Sequence, residues 1–259
     1  MPDLLLAEFR RHWIQYRRYP AEAASGVVMM TMMFLGLLAG GLYVAGPVAA
    51  AAGNVRAESL MVGYWIWMLT MFVLNEGAGT IQLETMTGTI EQLFMSPRGT
   101  LRIILTRSLS AVVFHLTITS SVILIIVAVT GYRLRFPLYT LVPLVIGLFA
   151  ATGLSLIFGA LALVLKKVDQ LLNLLRFMLF LPLMVPSEGV PAGARMLLYA
   201  FPMTPSLSML RSLMIAGHPE ATNHLTAALL NAAIYFAIGI AAYRSAERFV
   251  RSRGLLGQH

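Results

Sequence analysis

Residues able to do chemistry are sparse in this chain of 259 residues, and several fall beside its most apolar stretches. Glu76, Asp169 and Arg176 lie near the edges of long apolar runs. Ionisable groups so placed invite a proton or ion role. They can equally pair with one another or extend toward water, and structural pairing is the favoured reading. Nucleophilic catalysis would need a base beside a nucleophile, and metal chemistry would need converging ligands. His115 stands alone in its apolar run, while His12, His218, His224 and His259 fall outside the runs or at their edges. A lone histidine in such a run is most often a hydrogen-bonding group between helices. The segment GLSLIFG, 153–159, lacks the spacing of a G-x-S-x-G nucleophile elbow. With no cysteine in the chain, disulfides and thiolate metal sites are excluded. No catalytic residue and no metal site is expected.

The elements that would carry these residues follow from the composition. A chain 58% hydrophobic and only 12% charged lies far from the soluble norm. Charge-free runs extend over 23–55, 108–132, 136–165 and 221–243, each long enough to cross about 30 Å of hydrocarbon as a helix of ~20 residues. Two less clean spans cover 59–83 and 168–185, for six in all. An even number requires both termini on one side. Arg10, Arg11, Arg17, Arg18, Arg98, Arg102, Arg107, Lys166, Lys167, Arg244, Arg248, Arg251 and Arg253 share that side, and the positive-inside rule makes it cytoplasmic. The net charge of +8 therefore reflects orientation in a cell inner membrane, and no nucleic-acid footprint is present. The expected fold is an all-α integral membrane protein, with 1–259 as one transmembrane domain.

Smaller elements complete the layout. Residues 1–21 set Leu5, Leu6, Phe9, Trp13 and Tyr16 on one helical arc flanked by four arginines, as an interfacial helix against membrane lipid requires. GPVAAAAGN, 46–54, is expected to be a short external link. Tyr64, Trp65 and Trp67 form either an interfacial belt, the favoured reading, or possible pathway aromatics. Residues 186–222 carry five prolines around two apolar pieces too short to cross, which fits an external re-entrant helical hairpin. Within it, Glu188 and Arg195 can pair as a brace.

The stretch ETMTGTIEQLFMSPRG, 84–99, interrupts the apolar pattern between spans two and three. Thr89 and Gln92 have the T-x-x-Q spacing of a capping box, and Pro97 stops the helix they start. The expected result is a helix of about two turns with Ile90, Leu93 and Phe94 on one face. An apolar face pointing away from the membrane needs a docking partner. The chain also lacks a G-x-x-x-x-G-K-[ST] phosphate loop, the usual device for cradling ATP.

This stretch resembles the cytoplasmic segment of ABC-2 type transporter permeases, where a Glu, three variable residues, Gly-Thr-Leu-Glu-Gln-Leu and a downstream Pro recur between helices two and three. Ile90 replaces the usual Leu. FPMTPSLSMLRSLMIAG, 201–217, resembles the family's Pro-x-Thr-Pro and Leu-Arg segment before the last helix, marking Pro202, Thr204, Pro205 and Arg211. The resemblance implies an exporter permease that forms a homodimer or pairs with a sibling. It implies a coupling helix within 84–97 seated on a separate ATP-binding cassette subunit, with Glu84, Gly88, Thr89, Ile90, Glu91, Gln92, Leu93, Phe94 and Pro97 transmitting the motion. This chain would bind no cofactor, ATP and Mg belonging to the partner. The implied substrate is amphipathic: lipid-like, a drug or a lipid-linked glycan. The rival reading is a secondary transporter or channel driven by an ion gradient.

Overall fold

Apolar runs of this length become helices because a helix satisfies its own backbone polar groups without water. The computed structural model describes residues 2–51, 53–86, 94–96, 99–165, 169–185, 190–217 and 221–252. Helix α1 (Pro2–Arg18) turns at Tyr19 into α2 (Pro20–Ala51). Helix α3 (Gly53–Leu74) passes through a π turn (Asn75–Gly79) into α4 (Thr80–Met86). Helix α5 (Thr100–Thr130) stops at Gly131, whose left-handed backbone returns its N–H to Val127 O. Next come α6 (Leu141–Val164), α7 (Asp169–Met178) and α8 (Phe180–Met184). Helices α9 (Ala192–Ala200) and α10 (Thr204–Arg211), a second π turn (Ser212–Ala216) and α11 (Ala221–Ser252) close the chain. No strand occurs among the described residues.

Among the described residues, five stretches are long and apolar enough to cross a membrane: Pro20–Gly40, Ala57–Glu84, Thr100–Thr130, Leu138–Val164 and His224–Ser252. The sixth expected span is a shorter apolar helix, Gln170–Met184, broken at Leu179. Pro182 accounts for the break. It has no N–H for the carbonyl of Met178, and its ring crowds that carbonyl, so α7 ends there. At 1.5 Å per residue this piece reaches about 22 Å, short of a ~30 Å hydrocarbon core. The link expected at 46–54 also differs, because α2 runs through Pro47 to Ala51 and α3 begins at Gly53. The alanines after Pro47 favour helix strongly enough to continue it.

The core lies where α3, α6, α10 and α11 meet. Most of α3 is buried, while α2 packs loosely and leaves Val28, Met29, Met32 and Met33 exposed. Helices α6 and α11 approach until their backbones touch. A Cβ on Gly153 would collide with the Tyr235 carbonyl, and one on Gly239 with the carbonyl of Gly153. Close backbone approach is how membrane helices gain dispersion contact when lipid offers no hydrophobic drive. Ser155 of α6 donates to Val73 O just ahead of the first π turn, tying that irregular backbone to the core.

The aromatics of span two are core residues rather than a belt. Tyr64 is fully buried and donates to Met30 O at 2.8 Å, and Trp65 donates to Thr119 Oγ1 at 3.2 Å. Trp67 meets Tyr64 and, edge-on, Phe180 at 5.1 Å. The polar tips of Tyr64 and Trp65 find partners on neighbouring helices, while Trp67 is held by its ring contacts, its buried Nε1 having no partner among the described residues.

Candidate functional site

Two polar layers join α1, the α3–α4 helix and α5 at the arginine-rich end of the bundle. In the first, Arg107 Nε donates to Glu8 Oε1 at 3.1 Å and its Nη1 donates to Glu84 Oε1 at 2.9 Å. One guanidinium thus bridges three elements, which its planar fork allows and a lysine could not match. The second layer lies two helical turns further into the bundle along α3–α4 and α5. There Glu76 Oε1 sits 3.5 Å from His115 Nε2, and His115 stacks on Phe72 with centroids 4.1 Å apart. His12, one turn after Glu8, lies in the same layer, its ring 5.3 Å from that of Phe114. Burial disfavours its imidazolium and moves its pKa down.

Glu76 pairs with His115 rather than with Asp169 or Arg176, and Arg176 donates to Asn173 Oδ1 at 3.1 Å. Nor is His115 solitary. Sequence distance concealed this, since the helices carrying Glu76 and His115 are joined through the polar stretch 84–99. The expected interfacial helix α1 is held to α5 by the Glu8–Arg107 pair and by Phe9 against Phe114 at 4.5 Å.

The stretch 84–99 is described at both its edges. Glu84 belongs to the first layer. At the far edge, Phe94 and Met95 are helical, and Phe94 is buried in the bundle beneath Arg251, whose guanidinium carbon lies 5.4 Å from the ring centroid. Arg251 also reaches Phe94 O at 3.4 Å and Glu247 at 2.7 Å, and Glu247 accepts from Thr100 Oγ1. Phe94 therefore anchors the stretch to α11 rather than facing a partner, while Met95 is exposed. Gly88, Thr89, Ile90, Glu91, Gln92, Leu93 and Pro97 lie outside the described residues, as do Glu188, His218 and His259.

At the opposite end, α9 and α10 fold back into the bundle as a hairpin whose tip meets span two. Met203 Sδ lies 2.8 Å from Thr70 Oγ1, in the middle of that span. The tip adopts a conformation that methionine rarely takes, with φ +67° and ψ −16° at Met203, as at the third position of a type II turn. Asn231 of α11 supports it with three hydrogen bonds: it accepts from Met203 N and donates to Tyr199 O and Phe201 O. Tyr235 adds a bond to Ala200 O at 2.8 Å. Pro202, Thr204 and Pro205 are buried there, Pro205 opening α10 where its missing N–H does no harm. Nothing but its place in an apolar run marked Asn231 in the sequence. Replacing Asn231 with leucine should leave one buried N–H and two part-buried carbonyls without their partner, the buried N–H alone costing about 1–3 kcal/mol. The detergent-solubilised variant should melt well below wild type, and unchanged melting would exclude this role.

Arg211, at the end of α10, is 1% exposed. Its Nη2 donates to Leu183 O at 2.6 Å and Met184 O at 3.3 Å, its Nη1 to Val185 O at 2.9 Å, and its Nε to Ser59 O at 3.3 Å. The last carbonyls of a helix lack intrahelical donors and carry partial negative charge. Arg211 satisfies those at the end of α8 and holds them against the start of span two. Beside it, only a glycine at position 63 leaves room, since a Cβ there would lie 2.7 Å from Arg211 Nη2.

A bundle that is all-helical among the described residues, with five membrane-length helices there, bound at one end by ion pairs and closed at the other by an inserted hairpin, is a multi-pass membrane protein. Residues 3–215 match the family model described as ABC-2 type transporter, and the chain belongs to that family of membrane transport components. A search of curated proteins finds no match.

Proposed function

We propose that the chain is the permease half of an ATP-driven exporter, two copies or one copy and a sibling forming the pathway. The observation that carries this reading is the three-way contact of Arg107 with Glu8 and Glu84. It makes α1, α4 and α5 a single mechanical unit around the stretch that resembles a coupling helix. Arg251 and Phe94 tie the same stretch to α11. A separate ATP-binding cassette subunit, holding ATP and Mg, would press on residues 84–97 and move this unit. Such a two-state element, biased by nucleotide, alternates the pathway between its inward and outward states. Lipid-like molecules, drugs and lipid-linked glycans are the substrate classes that suit walls so rich in Met, Leu and Phe.

In this reading the arginine-rich end, with both termini, faces the cytoplasm of a cell inner membrane. The broken helix α7–α8 serves as a sixth crossing. It begins after Lys167 at the arginine-rich end and finishes with Val185 O bound through Arg211 beside Ser59, at the opposite end of span two. The hairpin α9–α10 is then a re-entrant element opening to the outside.

With the ATP-binding subunit co-expressed, Glu91→Lys and Leu93→Asp should insert normally yet lower transport-coupled ATPase activity about tenfold, a loss of ~1.4 kcal/mol of coupling. Transport by both variants at the wild-type rate would show that the docking surface lies elsewhere. The half-buried Glu76–His115 pair favours one rival, an ion-driven carrier, because an ionisable pair within a span suits a proton relay. Proton-driven flux by the purified chain alone, with no nucleotide-binding subunit recovered in pull-downs, would establish that rival.

A further inference from the structure

A cavity of about 540 Å³ lies between α1, α2, the first π turn and α5, and the coupling scheme leaves it unused. That volume is within the range of sites that hold a small molecule or the head of a larger one. Its polar wall carries the carboxylates of Glu22 and Glu76, the guanidinium of Arg11 and the imidazoles of His12 and His115. Glu22 forms no ion pair among the described residues, and Glu76 engages His115 through one oxygen, leaving the other free. Arg11 also lines the cavity, with only a 3.4 Å contact to Glu8 and a largely exposed side chain. Val27, Met30, Leu83 and Ile118 supply an apolar trough beside these charges.

Two carboxylates, one guanidinium and an apolar trough describe an amphiphile with both charges in its head. We propose that the cavity binds a zwitterionic phospholipid whose headgroup ends in a primary amine. The ammonium lies between Glu22 and Glu76, the phosphate meets Arg11, and an acyl chain leaves past Val27 and Met30. A primary ammonium brings three N–H donors for carboxylates, whereas a quaternary one brings none and relies on aromatic faces. The two benzenoid rings in this wall are engaged: Phe72 carries His115 on one face, and Tyr19 has Arg18 at 5.8 Å. A purely anionic head would set two carboxylates against itself for one arginine. The site sits where an amphipathic helix meets a loosely packed first span, so a bilayer lipid can reach it from the side. It requires only that the chain lie in a membrane, and it stands apart from the transport reading.

The test uses the purified full chain, delipidated in detergent and titrated with phosphatidylethanolamine, phosphatidylcholine or phosphatidylglycerol of identical acyl chains. Native mass spectrometry counts the retained lipid. Phosphatidylethanolamine should be held at about tenfold lower concentration than the other two. Glu22→Gln, an exposed change that spares folding, should shrink this preference, and the Glu22→Gln/Glu76→Gln double variant should abolish it. Arg11→Gln should weaken the phospholipid but not a long-chain primary amine lacking phosphate. Equal retention of the three lipids, a preference for phosphatidylglycerol, or an intact preference in a double variant that melts like wild type would overturn the proposal. Undiminished phospholipid binding by Arg11→Gln would reduce the ligand to a simple amphiphilic amine and overturn its zwitterionic part.

Discussion

Arg211→Met should destabilise the protein by on the order of 3 kcal/mol or more, because hydrogen bonds to a charged donor contribute about 1.5–3 kcal/mol each and four carbonyls lose theirs together. The methionine is close in length and apolar, so lost packing is the smaller term. Three of those carbonyls end a one-turn helix that has little else to cap it, and the fourth belongs to span two. With the guanidinium gone, α8 should swing away from α3. Trp67 reports this directly, since Phe180 of α8 packs on its indole. The expected result is a lower melting temperature together with red-shifted tryptophan emission. Arg211→Lys should recover only part of the loss, because an ammonium cannot fork across carbonyls on two elements. A methionine variant with wild-type melting and emission would refute the clamp.

Gly153→Ala and Gly239→Ala should each cost about 2–3 kcal/mol, the upper range for overpacking. Here the added methyl meets backbone of the facing helix rather than a side chain that can rotate away. Helix propensity works the other way, since alanine favours helix by about 1 kcal/mol over glycine, so a net loss isolates the interhelical contact. Both residues form one contact, and the double variant should cost less than the sum of the singles. Cysteine cross-linking between α6 and α11 would detect the separation. Wild-type stability and cross-linking in either single variant would mean the helices can part without penalty.

These two sites also mark how far the sequence could be read. Membrane class, helix positions and the arginine-rich end follow from local composition, because lipid selects any sufficiently apolar run and helix is its only self-satisfied form. The stretch 84–97 was visible as a polar interruption, and the proline-rich segment as a hairpin too short to cross. Pro182 was equally visible, yet its effect was missed: an unbroken helix was expected where the proline interrupts it.

The partnerships were not legible. Arg107 and Arg251 read alike as basic residues near span ends and Arg211 as part of the hairpin's Leu-Arg segment, but one bridges three elements, one covers Phe94, and one caps α8. Glu76 and His115 meet only because spans two and three lie antiparallel, which no local pattern records. Asn231 reads as a polar lapse in an apolar helix until the tip of the hairpin arrives beside it. By itself, the sequence determined that this is a multi-pass helical membrane protein with a polar stretch between spans two and three, since hydropathy and backbone satisfaction act residue by residue along the chain. Only the tertiary structure decided which charges pair, which aromatics turn inward and which glycines touch, because those depend on distances between helices far apart in sequence.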